Sequence, residues 1–305
     1  MRPDGILIIG GTGFLGTALR QRLSRSGRPV HVLARHADQS AEKNVSMHRG
    51  SIDDASLLRK ILPLCGTVIH AASTTTPGTS AQQPSMEAMQ NILPTLRFLE
   101  LLREFEVRHL IFFSSGGTFY GTPASTPVSE SQPFSPQSYY GAGKVAIEAF
   151  LQAYQSQGGN GGVTILRPSN VYGIGQPYRP GFGIIRTMLE HVKRGSTLEI
   201  WGDGENTRDF IYVDDLVEVC VKLTQGQTQS GSYNLGYGRG HTINQVLRAI
   251  ESVCRVELKV NYMPARQLDV KAIVLDTGRL EQLLSWKPQI QLEQGLELTW
   301  NWLKQ

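Results

Sequence analysis

Tyr140 and Lys144 stand four residues apart in the run Tyr140-Gly-Ala-Gly-Lys144, which continues into the apolar positions Val145, Ala146, Ala149 and Phe150. Read as a helix, this spacing stacks the phenol and the ammonium on one face. A free tyrosine loses its proton near pH ~10, so a tyrosine that works as a base at neutral pH needs positive charge beside it. Lowering it by about three units takes about 4 kcal/mol of preferential stabilisation of the phenolate. Lys144 would supply one charge and an oxidised nicotinamide ring another, which makes the pair a candidate for proton transfer coupled to hydride transfer. The spacing alone also arises by chance on many helices, so its weight depends on what precedes it.

What precedes it is a glycine loop. The β-branched run at residues 6–9 leads directly into Gly10, Gly13 and Gly16, with Phe14 and Leu15 opening a helix. Glycines at these places let the backbone approach a pyrophosphate, aim a helix N-terminus at it and allow close packing of helix on sheet. The second expected strand ends Val32-Leu33-Ala34-Arg35, without the carboxylate that usually holds an adenosine ribose. Arg35 is suited to a 2′-phosphate instead. The cofactor expected is therefore NAD or NADP, with a solvated surface arginine as the other reading of Arg35.

These groups need a scaffold that sets them at strand ends. Short β-branched runs at residues 6–9, 30–33, 67–70, 110–113 and 163–166 alternate with helical patterns, the signature of βαβ units. Phe14, Leu15, Ala18, Leu19 and Leu23 share one helical face, as do Leu57, Leu58, Ile61 and Leu62. A long helix is expected over residues 85–105, bent at Pro94. Further helices are expected at 184–193, at 214–223, at 242–253 behind a Thr242/Gln245 capping box, and at 292–303. The Ser/Pro/Thr-rich stretch 121–138 reads as a surface loop of lid-like length.

After Pro168 the pattern turns irregular around Pro177, Pro180, Gly181 and Gly183. The fold class expected is α/β, a Rossmann-type doubly wound parallel sheet with a smaller C-terminal α/β substrate lobe. Residues 1–168 form the dinucleotide-binding domain, a segment near 205–237 returns to it, and 169–305 form mainly the substrate lobe. His31 and His70 read as structural, Asp214 and Asp215 as helix N-caps, and Trp201, Trp300 and Trp302 as core or interface aromatics.

The 305 residues carry 30 lysines and arginines against 26 acids, a net charge of +4. The cations are scattered rather than gathered on one element, so nucleic acid is not an expected partner. Cys65, Cys220 and Cys254 lack metal-ligand spacing, so reduced thiols and no metal are expected. No segment approaches the ~18 consecutive apolar residues of a membrane span. The first strand begins within about five residues of the N-terminus, so no signal peptide is expected and a cytoplasmic location is.

With its other motifs, the sequence resembles the extended short-chain dehydrogenase/reductase family in its nucleotide-sugar epimerase/dehydratase branch. The resemblance spans nearly the whole chain: the Gly10–Gly16 loop, VIHAA at 68–72, SSGGTFYG at 114–121, the Tyr140/Lys144 pair, RPSNVYG at 167–173, WGDG at 201–204 and RDFIYVDD at 208–215. It implies that Tyr140 is the acid or base and that Lys144 holds the nicotinamide ribose. It also implies cofactor contacts at Gly10, Gly13, Phe14, Leu15, Gly16, Arg35, Ser51, Ile52, Ala71, Ala72, Ser114 and Pro168. Asn170, Arg208 and Arg266 fall where a UDP group is gripped, which suits arginine forks and phosphate oxygens.

Departures from the family pattern shape the expectation. Gly116 stands where a catalytic serine or threonine is usual, so the hydroxyl on the sugar oxygen is assigned to Ser115 or Thr118. Gly117 and Thr118 replace the Asp-Glu pair of dehydratases, which disfavours water elimination, and Ser51 replaces a usual adenine-side aspartate. The resemblance implies a homodimeric nucleotide-sugar 4-epimerase of a UDP-hexose, working by transient hydride transfer. An NADPH-dependent 4-ketoreductase is the alternative, and a non-catalytic dinucleotide sensor a second.

Overall fold

Short apolar runs become buried strands wherever both faces of a sheet are covered, and the runs in the first half of this chain do so. The computed structural model describes residues 3–36, 42–81, 83–123, 125–265 and 270–305. In chain order the strands are β1 (Gly5–Ile9), β2 (Val30–Ala34), β3 (Val45–Arg49), β4 (Cys65–His70), β5 (His109–Phe113), β6 (Gly162–Pro168) and β7 (Asn170–Tyr172). They continue with β8 (Leu198–Trp201), β9 (Thr207–Tyr212), β10 (Gly231–Leu235), β11 (Gly240–Thr242), β12 (Val260–Met263) and β13 (Ala272–Ile273). The helices are α1 (Phe14–Leu23), α2 (Ala55–Ile61), α3 (Pro77–Ser80), α4 (Pro84–Glu87), α5 (Leu93–Leu102) and α6 (Tyr139–Ser156). After them come α7 (Ile184–Arg194), α8 (Val213–Gln225), α9 (Ile243–Cys254), α10 (Gly278–Leu284) and α11 (Leu292–Leu303).

The chain divides into two compact units. The first takes residues up to Ser115 with Ser138–Arg167 and Val217–Tyr233. Its seven-stranded sheet has the order β10-β6-β5-β4-β1-β2-β3 and is parallel from β6 to β3. The order of connection reverses between β1 and β4, the place where open α/β sheets bind ligands beyond their strand ends. Leu7, Ile9, Val68, Leu110, Phe112 and Ile165 from the strands pack with Leu58, Phe98, Leu102, Ile147 and Leu151 from the helices. Each such side chain contributes about 1.5–3 kcal/mol through its burial.

Two elements differ from the sequence expectation. The strand β3 has no apolar run: Val45-Ser-Met-His-Arg49 lies at the sheet edge with every side chain at least partly exposed, so its composition carries little signal. The helix expected over 85–105 is broken into α4, a π turn at Ala88–Ile92 and α5. Pro94 has no N–H to give to the carbonyl of Gln90, and the wider turn, closed by Leu93 N–H on Ala88 O, precedes that gap.

The second unit takes Gly116–Gln137, Pro168–Leu216 and the chain from Asn234 onward. Its β9 pairs through Thr207–Asp209 with antiparallel β11, through Thr207 and Arg208 with parallel β13, and through Phe210–Tyr212 with parallel β7. The buried Asp209 accepts backbone N–H bonds from Tyr237 (2.9 Å), Gly238 (3.1 Å) and Leu275 (3.2 Å), tying β9 to the segments that follow β10 and β13. The stretch expected to be a surface loop is anchored here. Val128 is buried, its N–H donates to Val274 O and its carbonyl accepts from Asp276 N, while Asn234 Nδ2 donates to the same carbonyl.

The remaining differences are local. Asp215, in the first turn of α8, accepts from the backbone of Gln289 and Ile290, each at 2.9 Å. Of the two roles expected for Trp201, core or interface, its exposure excludes the core. The Thr242/Gln245 box forms as expected on α9.

Candidate active site

The glycine loop sits at the C-terminal end of β1, where the sheet order reverses. Gly10 has φ +85°, and a Cβ there would lie 2.8 Å from the Ala72 backbone, so only glycine allows this approach of the turns after β1 and β4. At Gly16 a Cβ would meet Gly10 O at 2.1 Å, which fixes how closely α1 packs on the loop. Gly13 is exposed and caps α1 with extended backbone and no side-chain bond to the first helical turn. The first turn holds no acid. A helix start of this kind fits an anion, and here the loop fits a pyrophosphate.

Other residues expected at the cofactor stand at strand ends of the first unit, apart from Pro168, which opens a segment of the second. Ala71 and Ala72 follow β4, with Ala71 N donating to Ile9 O at 2.9 Å. Ser51 and Ile52, both half-buried, follow β3. Arg35 is exposed just past β2, and Ala34 brings no carboxylate to that strand end. The buried Ser114 follows β5 and bonds Leu166 O through its amide at 2.8 Å. Its hydroxyl finds no protein partner, a buried polar atom left available to a ligand. Pro168 ends β6. These features fit a bound dinucleotide.

Tyr140 opens α6, which Ser138 caps through the Gly141 N–H. Lys144, one turn on, is buried and donates to Phe113 O at 2.9 Å, with its Nζ 5.7 Å from the centre of the Tyr140 ring and 4.9 Å from that of Phe112. Burial pushes the Lys144 ammonium down to about 8, opposed by the carboxylates of Glu87 and Glu148. The sequence predicts a phenol lowered by Lys144 together with an oxidised nicotinamide ring, and the protein's own groups work the other way. Burial raises Tyr140 above its ordinary value, the Glu87 carboxylate raises it further, and only the Ser73 hydroxyl works the other way. The protein alone keeps the tyrosine protonated, first through burial of the phenol and then through the Glu87 carboxylate.

Two acids that shape this site were not legible in the sequence. Glu148 is fully buried and holds Arg167 bidentately, Nη2 to Oε2 at 2.6 Å and Nε to both oxygens at 3.1–3.2 Å. Glu87 lies under α6 against Gly143. The helical period of 85–105 places Glu87 on neither an apolar stripe nor a motif, so only tertiary packing identifies it.

Ser115 and Thr118, the two candidates for the missing hydroxyl, fall in different units. Ser115 is buried at the end of β5 and Thr118 is half-buried three residues on. Gly116 between them gives its N–H to Pro168 O at 2.7 Å. In the second unit, Asn170 on β7 donates to Asp209 O at 2.9 Å and pairs in register with Phe210, and Arg208 lies two residues earlier on the same β9. That strand pairing brings Asn170 and Arg208 to neighbouring positions. Arg266 lies outside the described residues. No group of acids, histidines and cysteines suited to a metal occurs among the described residues, and no described helix is long and apolar enough to cross a membrane.

A model of the NAD dependent epimerase/dehydratase family matches residues 6–236. The chain is 31% identical to UDP-glucose 4-epimerase of Mycolicibacterium smegmatis, over 96% of each chain. Among solved structures it is similar to UDP-glucose 4-epimerase of Thermotoga maritima with UDP-glucose, at TM-score 0.90 and 31% identity over 98% of both chains. It is also similar to UDP-glucose 4-epimerase of Thermus thermophilus in complex with NAD, at TM-score 0.89 and 29% identity, covering 98% of this chain and 99% of that one.

Proposed function

The chain belongs to the NAD dependent epimerase/dehydratase family, and on that premise we propose that it is a 4-epimerase of a UDP-hexose. The observation that carries the reading is the Tyr140–Lys144 pair, one turn apart on α6, with the ammonium fixed on Phe113 O. NAD, held by the Gly10–Gly16 loop with Ala71, Ala72, Ser114, Lys144 and Pro168, supplies a hydride acceptor when bound. Tyr140 takes the proton of the C4 hydroxyl and later returns one to the oxygen at the same carbon, so it ends each cycle as it began. Lys144 holds its position through Phe113 O and stabilises the phenolate by charge. Ser115 or Thr118 orients the sugar oxygen, and Asn170, Arg208 and Arg266 are assigned to the UDP group. Residues 169–305 serve mainly as the substrate lobe and the protein works in the cytoplasm.

An epimerase has no net oxidant or reductant, so it keeps its dinucleotide. Purified protein given UDP-glucose or UDP-galactose without added cofactor is expected to reach one mixture from either side, and the N-acetyl counterparts define the sugar admitted. The absent acid at Ala34 and the exposed Arg35 favour the second reading, a 4-ketoreductase. NADPH consumption with a 4-keto sugar, together with no interconversion, would establish that reading instead. A homodimer is part of the proposal: Met89, Leu93, Tyr139 and Phe150 leave apolar surface exposed along the π turn, α5 and α6. Sedimentation at micromolar concentration is expected to give twice the chain mass, and a monomer there would remove this part.

A further inference from the structure

Glu87 is a buried acid in a position that packing alone does not explain. It is 3% exposed at the end of α4, and among the described residues it forms no ion pair. Burying a carboxylate without a paired cation is costly. Its oxygens are nevertheless fully held: Oε1 accepts from Asn91 Nδ2 at 2.9 Å and Oε2 from the Thr75 hydroxyl. The Asn91 amide is oriented by its own carbonyl, which accepts from Thr74 N and Oγ1 at 3.0 Å each. Both partners of Glu87 donate to it.

The clamp presses Glu87 onto α6 between the two groups assigned to the chemistry. A Cβ at Gly143 would lie 2.5 Å from Glu87 Cγ and Oε1, so the carboxylate occupies the space a side chain would fill there. Gly143 precedes Lys144 by one residue and follows Tyr140 by three. The other charged or titratable groups near the pair are Glu148 on α6, His70 on β4 and Arg167 on β6. Glu148 is neutralised by Arg167 through three hydrogen bonds. His70 is kept uncharged by burial, with Nε2 3.2 Å from Thr95 Oγ1. Glu87 is thus the acid that acts on both members of the pair: it raises Tyr140 and stands ahead of Glu148 in raising Lys144.

We propose that Glu87 is a positioning residue for this pair: its clamped carboxylate keeps Lys144 as the ammonium and opposes loss of the Tyr140 proton, so that it sets the pH range in which the pair exchanges protons. The proposal rests on the assignment of Tyr140 and Lys144 as the reacting pair. The direct test needs no turnover. In protein labelled with carbon-13 lysine, the Lys144 ε-carbon, identified by its absence in Lys144→Arg, is titrated in the wild type and in Glu87→Gln. Glutamine keeps the shape and an acceptor for Asn91 but removes the charge. The Lys144 midpoint is expected to fall by about one pH unit or more.

Gly143→Ala displaces the carboxylate without removing it and is expected to move the midpoint the same way, which keeps the test available should Glu87→Gln not fold. An unchanged midpoint in a folded variant of either kind would overturn the proposal. The pH profile of turnover should shift toward acid in Glu87→Gln, because both groups release their protons more readily, whereas a purely structural role would lower turnover without moving the profile. A wild type without epimerase activity would defeat the functional reading, and the Lys144 titration would still decide the role of Glu87.

Discussion

In the proposed mechanism Tyr140 takes and gives a proton at one oxygen, and its surroundings in the protein favour the protonated form. Burial first and Glu87 second raise the phenol, so the proposed mechanism needs the positive ring of an oxidised nicotinamide to lower it. Replacing Tyr140 by phenylalanine keeps the ring and removes the acid. Turnover is therefore expected to fall by ~10²-fold or more, a general acid–base contribution. Affinity for UDP, measured by calorimetry, should stay the same, since the residues assigned to that group lie on β7, β9 and Arg266. Turnover at the wild-type level would take Tyr140 out of the mechanism. The positions of this pair were legible because a spacing of four always shares a helix face. The direction in which the protein's own groups shift the phenol was not, because it depends first on burial of the phenol and then on an acid 53 residues away in sequence that the fold brings beneath Gly143.

Between β6 and α6 the chain places one buried ion pair, Arg167 with Glu148, 3% and 0% exposed at their side chains. Such a pair gains little over an apolar contact, but breaking it leaves one charge stranded. Arg167→Met is expected to cost about 3–5 kcal/mol in urea unfolding, with the simultaneous change of Glu148 to leucine recovering much of it. A loss of only a few tenths of a kcal/mol, the size of an exposed pair, would show that water reaches Glu148 in solution. The elements themselves were readable to the extent that burial makes composition monotonous. The interior strands β1, β2, β4, β5 and β6 appear as β-branched runs because both their faces are covered. The edge strand β3 and the π turn left no such mark: one is half-exposed and polar, and the other is a hydrogen-bond shift of one residue ahead of Pro94. Asp215 shows the same limit, since an acid in a first turn reads as a cap until Gln289 and Ile290 arrive from elsewhere in the fold.

The whole molecule carries a pH dependence that follows from where its histidines lie. Within the sheet, His70 on β4 and His109 on β5 are buried, and burial lowers them to about 3 and about 4; His109 Nε2 lies 2.7 Å from Thr164 Oγ1. Each is neutral in the folded protein and titrates near 6.5 once unfolded, so between those values the unfolded chain binds more protons and stability falls as pH falls. At about pH 5 each histidine has removed about 2 kcal/mol, or about 4 together, relative to neutral pH. Asp209 has the opposite sign. Burial raises it to about 6, so on acidification the folded protein takes its proton first and gains about 1.3 kcal/mol by about pH 5. The histidines win, and urea unfolding is expected to show about 3 kcal/mol less stability at about pH 5 than at about pH 7.5. His109→Asn should flatten the slope by about half of the histidine contribution, because asparagine can still bond Thr164 but takes up no proton in the unfolded chain. Stability that held level or rose toward pH 5 would mean that His70 and His109 reach solvent in the folded protein, and the seven-stranded sheet would then be looser around β4 and β5 than its packing indicates.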